Sequence, residues 1–192
     1  MNVLGIDYSL NGSGLAVYDG KEIILKKVFT TTKKDEDNNP EVFIYVPKMK
    51  DTMGKIDIVS GIIVEYAKDV DFVLMEDHIG RYYNWMDGYG VIKHLLRKQN
   101  TAHIMASPTM IKKYAGNGKA DKNMMSFFLK NDYNFDFDYL GKLANNIIDA
   151  SWMAIMGFQY YKIHIEKAKV YDTPARTKIL KTLADKERKN KE

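Results

Sequence analysis

The stretch "VLGIDYSLNGSGLAVYD", residues 3–19, constrains the fold more than any other. It reads as a buried strand, a glycine-rich turn and a second strand, and one acid, Asp7, sits inside the first apolar run. A second tight turn, "DGK", leads into "EIILKKVFTT", so three short-connected strands predict an antiparallel meander. "DFVLMED" and "TAHIMAS" follow later as strands without polar alternation, the pattern of central parallel strands. Between them the spacing predicts helices. In residues 49–70 the apolar positions Met53, Ile56, Val59, Ile63, Tyr66 and Ala67 recur at helical intervals. Further helices are expected over "VIKHLLRKQN", "DKNMMSFFLKN" and "GKLANNIIDASWMAIMGFQYY", and residues 31–40 as a polar loop. The expected architecture is a mixed α/β fold: a five-stranded sheet, a meander plus two parallel strands, with helices on both faces.

Charge divides the chain. Residues 1–165 carry 20 Lys/Arg and 20 Asp/Glu, whereas residues 166–192 carry 9 and 5, so the whole net charge of +4 lies in the tail. This predicts one domain over residues 1–165 and a basic helical tail over 166–192, with a seam near Tyr171–Pro174. Such a tail is either a nucleic-acid contact, with Arg176, Lys178 and Lys181 near one helical face, or a solvated helix. There is no cysteine, which excludes disulfides, thiolate catalysis and cysteine-ligated zinc. No apolar run approaches 18 residues and no leader pattern is present; a cytoplasmic protein without a membrane partner is expected.

Asp7 is one of three acids isolated in apolar elements. Glu76 ends the strand "FVLME", and Asp149 is the single charge across "LANNIIDASWMAIMG", three residues after Asn146. Each has a plain structural reading: a turn-capping Asp, a polar strand end, a helix-stabilising Asn–Asp pair. As a set they would be costly to bury without a cation. Hard oxygen donors point to Mg²⁺ or Mn²⁺. Two such ions roughly 3.5–4 Å apart would suit hydrolysis of a phosphodiester. The turn "NGSG" would let the backbone pass close to the scissile phosphate.

The blocks "GIDYSLNGSGLAVYD", "VLMED", "SPTMIKKYAGNGKADKNMM" and "NNIIDASWMA", in this order, resemble the RuvC-type Holliday junction resolvases of the ribonuclease H-like superfamily. The resemblance spans roughly residues 2–158. It implies an RNase H-like fold and a homodimeric endonuclease that nicks four-way DNA junctions symmetrically, with two Mg²⁺ per site and Mn²⁺ as a substitute. Asp7, Glu76 and Asp149 match the metal-binding carboxylates by motif. Asn146 stands where the family usually has Asp or His; a neutral amide is no base, but its carbonyl oxygen can ligate a metal or water. Abundant Lys, Asn, Ile and Tyr, with Asn146, look more like phage-encoded members, whose substrates would extend to forks and flaps.

Candidate DNA contacts cluster in two places. Lys112, Lys113, Asn117, Gly118, Lys119 and Lys122 surround the "GNGKADK" turn, where a helix beginning near Ala120 would present its N-terminus to phosphate. Arg81, Tyr82 and Tyr83, with Trp85 and Tyr89, follow Glu76 in an expected loop whose aromatics either stack on unpaired bases or pack as core or dimer contact. His78 and His94 read as surface or packing residues. A non-catalytic junction-binding module is the rival reading, motivated by Asn146. "GIDYSLNGSG" also resembles the phosphate turn of sugar kinases, which need a second domain that 192 residues do not hold.

Overall fold

β1 (Val3–Asp7) lies inside the sheet, antiparallel to β2 (Gly14–Tyr18) on one side and parallel to β5 (Phe72–Glu76) on the other. All three are buried almost throughout, which explains why they read as continuous apolar runs. β2 pairs antiparallel with β3 (Ile23–Thr30), and β5 pairs parallel with β6 (His103–Ala106). The computed structural model describes residues 1–77, 83–116, 118–137, 144–169 and 172–189.

The sheet has six strands, not the expected five. β4 (Phe43–Tyr45) pairs parallel with the end of β3, giving the order β4-β3-β2-β1-β5-β6. Three half-buried residues between Pro40 and Pro47 are too short to show a period. The polar segment before β4 is also not all loop, because Lys33–Asn38 forms a short helix, α1. None of its residues is buried. Polar contacts hold it instead: the Thr30 hydroxyl donates to Asp35 at 2.6 Å, and the Tyr45 amide donates to Glu36 at 3.1 Å.

Helices cover both faces. α2 (Thr52–Tyr66) and α3 (Tyr83–Lys98) pack Val59, Ile63, Ile92 and Leu96 against Leu4, Ile6, Val73 and Met75. α4 (Pro108–Ala115), α5 (Lys122–Tyr133) and α6 (Ala144–Tyr160) cover the opposite face, where Val3, Phe72 and Leu74 meet Trp152, Met153 and Met156. The α2 stripe differs from expectation at its start: Met53 is 54% exposed, while Lys55 is buried. After Tyr160 the chain continues as a π-helical turn, Tyr161–Ile165. No helix among the described residues is long and apolar enough to cross a membrane.

The last helix, α7 (Pro174–Lys189), is docked on the domain, with Leu180 and Leu183 fully buried in the α6-side core. Arg176 points inward, so it does not share an exposed face with Lys178 and Lys181. Its guanidinium donates to the Tyr114 carbonyl at 2.9 Å and to Asp132 at 2.7 Å, and lies 5.3 Å from the ring centres of both Tyr114 and Trp152. Arg176→Ala should lower stability by roughly 2–3 kcal/mol and the melting temperature by about 5–10 °C. Limited proteolysis should then release the 166–192 segment first; unchanged melting would show that Leu180 and Leu183 alone hold the helix.

Candidate active site

Strand alternation places the acids. Leu4 and Ile6 face α2 and α3, so Val3, Gly5 and Asp7 face α6. Phe72 and Leu74 likewise put Glu76 on the α6 face of β5. Ile6 pairs with Met75, so Asp7 and Glu76 emerge side by side at the carboxyl ends of two parallel strands, where ligands of open α/β sheets bind.

α6 lies directly on this part of the sheet. A Cβ at Gly5 would stand 1.9 Å from the Ala150 carbonyl oxygen, and one at Gly14 would stand 2.1 Å from that of Asn146. Backbone contact this close brings Asn146 and Asp149 over the ends of β1 and β2. The Asn146 side-chain amide donates to the Gly12 carbonyl, tying α6 to the β1–β2 turn. That turn is internally braced: the Ser13 hydroxyl accepts from the Ser9 amide at 2.9 Å, and the Ser9 hydroxyl accepts from the Gly12 amide at 3.0 Å.

Lys122, at the start of α5, completes the cluster. Its ammonium pairs with Asp149 and donates to the Asn145 carbonyl at 3.4 Å. Burial lowers the pKa of Lys122, and the charges of Asp7 and Glu76 act in the opposite direction. Asp7 is pushed up to about 7, first by burial and then by the charge of Glu76, with Lys122 opposing. Tyr89 also feels both acids, after burial, and its phenol is held above the usual range. Among the described residues, no three His, Cys, Asp or Glu side chains stand together closely enough to hold a metal ion. Lys122 pairs with Asp149, while the charge of Glu76 acts on Asp7.

The Asp7 shift has a thermodynamic consequence. An unfolded aspartate titrates near 3.8 and the folded one near 7, so the folded chain binds the extra proton between these values. The contribution is complete below about pH 4 and is lost as pH rises through about 7. Metal-free protein should therefore lose stability relative to Asp7→Asn over this window, by roughly 2–4 kcal/mol at most. Urea midpoints at pH 5 to 8 check this; parallel curves would mean that Asp7 titrates normally.

The other expected contacts fall into distinct positions. Lys112, Lys113 and Lys119 are exposed, and the charge of Lys112 reaches Lys122. Gly118 lies over the Lys113 stem, so a Cβ added there would stand 3.0 Å from Lys113 Cγ. Asp121 caps the α5 N-terminus by accepting from the Met124 amide at 2.9 Å. Tyr89 is not on a loop: it belongs to α3, is buried, and packs on Tyr8 at 5.1 Å between ring centres. Arg81, Tyr82, Asn117 and His78 lie outside the described residues, as do the side chains of Tyr83 and Trp85. His94 is exposed.

Two contacts escaped the sequence reading. Lys186 of α7 pairs with Asp77, the neighbour of Glu76. Beside it opens a groove of about 820 Å³, lined by Lys93, Arg97 and His103 as well as Asp77 and Glu187. Lys55 of α2 donates to the Asn11 side-chain oxygen of the β1–β2 turn at 2.6 Å. Only its place on the buried stripe beside Ile56 and Val59 hints at this in the sequence.

This arrangement, a six-stranded mixed sheet with helices on both faces, has the same fold as solved structures of RuvC. RuvC of Thermus thermophilus in complex with a Holliday junction substrate superposes with a TM-score of 0.58 at 15% identity, over 81% of this chain and 91% of that one. The structure of Thermus thermophilus RuvC alone gives 0.58 and 15% over 80% and 92%. The yeast mitochondrial Holliday junction resolvase gives 0.48 and 15% over 79% and 75%. No protein-family model and no curated protein sequence matches the chain.

Proposed function

We propose that this chain is a metal-dependent endodeoxyribonuclease that nicks branched DNA, four-way junctions first among its substrates and forks and flaps beside them. The observation that carries the reading is the adjacency of Asp7 and Glu76 on β1 and β5 beneath Asn146 and Asp149, in a resolvase fold. The donor set fits hard divalent ions: the carboxylates are oxygen ligands, and the buried Asp7 beside Glu76 is a like-charge pair that a cation relieves. Two Mg²⁺, with Mn²⁺ as a substitute, would supply charge neutralisation at the phosphate and a more acidic water.

The chain's own residues have separable tasks. Asp7 and Glu76, at adjacent ends of β1 and β5, would hold the cations. Asp149 would join them once Lys122 turns from it to a phosphate oxygen. The Asn146 amide nitrogen donates to the Gly12 carbonyl, its own carbonyl oxygen is the atom that could serve as a ligand, and the neutral amide removes no proton. Lys112, Lys113 and Lys119, with Asn117 and Gly118, would bind backbone phosphates and set register without reading sequence. Arg81, Tyr82 and Tyr83 would contact the branch point. Paired symmetric nicks need two sites related by a two-fold axis, hence a homodimer.

The rival is a junction-binding module without turnover, favoured by the neutral Asn146 and the Lys122–Asp149 pair. A metal titration on a four-way junction, a fork, a flap and linear duplex separates them. Nicking of branched substrates in Mg²⁺ or Mn²⁺, with linear duplex spared, is expected. Tight junction binding without a nick in any divalent ion would establish the module instead.

A further inference from the structure

Among the described residues, Lys55 is the only lysine or arginine that is buried, with 5% of its surface exposed. Its ammonium has one partner among these residues, the Asn11 side-chain oxygen at 2.6 Å, and no carboxylate. A buried ammonium is normally paired with an acid, because desolvation otherwise costs several kcal/mol. Here the neighbouring charge is another cation, the exposed Lys48. Burial first, and then Lys48, lowers the pKa of Lys55. A buried ammonium that has an amide oxygen and no carboxylate as its partner, and that feels a second cation, makes a site that an anion would relieve.

Its place in the fold says which anion. Asn11 belongs to the turn that leaves Asp7, and the next residue, Gly12, accepts from Asn146. Asn11 is exposed and its side-chain oxygen is occupied by Lys55, so its amide protons remain to donate outward. We propose that Lys55, Lys48 and the Asn11 amide form a subsite for one backbone phosphate of the DNA strand, flanking the phosphate that is cut. This rests on the nuclease reading above and extends it with a second cationic cluster, on α2, opposite the lysines of α4 and α5. Lys55 is then a binding residue whose charge matters more than its packing.

The test compares wild type with Lys55→Met, Lys55→Arg and the exposed Lys48→Ala, measuring four-way-junction affinity against salt in calcium. Lys55→Met should weaken binding about 5- to 20-fold and lower the salt slope by about one, and Lys55→Arg should restore both. An unchanged slope in Lys55→Met, with wild-type binding intact, overturns the subsite and leaves the nuclease reading standing. If Lys55→Met fails to fold, Lys48→Ala decides: a reduced slope supports the subsite and an unchanged one rejects it. If wild type binds no branched DNA, the nuclease reading falls, and titration with inorganic phosphate judges the subsite alone. A shift of the Asn11 side-chain amide resonance that Lys48→Ala abolishes would then keep an anion site, and no shift would remove it.

Discussion

Asp7→Asn should abolish nicking of a four-way junction, by about 10³-fold or more, while junction affinity stays the same or improves. The amide keeps the volume of the carboxylate and loses the charge on which the cations depend. It also removes repulsion between the site and the phosphate it must receive. A third readout makes the experiment decisive. Because burial and Glu76 make the Asp7 carboxylate costly to ionise, the neutral variant should be the more stable protein above pH 7. Stability spent on an unfavourable charge is the mark of a site kept for chemistry. Were Asp7 a structural turn cap, the same substitution would lower stability, affinity and nicking together. The three measurements therefore separate a catalytic role from a structural one without reference to any relative.

Gly5→Ala should have the opposite signature, with stability and activity lost together. A methyl group there would meet the Ala150 carbonyl oxygen at 1.9 Å and the Ala154 nitrogen at 2.5 Å, both backbone atoms that no rotamer change can move aside. α6 would have to lift from β1, opening the Val3–Leu74–Met153 layer and carrying Asn146 and Asp149 away from Asp7. Overpacking of this kind costs about 3 kcal/mol or more, so the midpoint of unfolding should fall steeply and nicking should vanish even at low temperature. Gly61 is the control. It is exposed on α2 with nothing within 4 Å of its Cβ position, so Gly61→Ala should stabilise by about 0.5–1 kcal/mol. If Gly5→Ala melted like wild type and nicked normally, the close seating of α6 on the sheet would be wrong.

The features legible in the sequence are those written into local periodicity. The apolar runs Val3–Asp7 and Phe72–Glu76 each end on a single acid, and the isolation of Asp149 in an apolar helix marks the third. The features missed depend on partners distant in the chain or on segments too short to show a period. β4 has three residues, and α1 has no buried face. Tyr89 looks like one of several loop aromatics until Tyr8, far earlier in the chain, is seen against it. Arg176 reads as a tail cation because nothing near it predicts Asp132 and the Tyr114 and Trp152 rings as its cage. Lys55 is the sharpest case: a lysine on an amphipathic helix is ordinarily exposed, and only Asn11, 44 positions away, explains its burial.

Crystals soaked in manganese, with and without a four-way junction bound, should show an anomalous peak between the Asp7 and Glu76 carboxylates, absent in Asp7→Asn. No peak at that position, even with substrate in place, would contradict the metal-dependent chemistry on which the account stands.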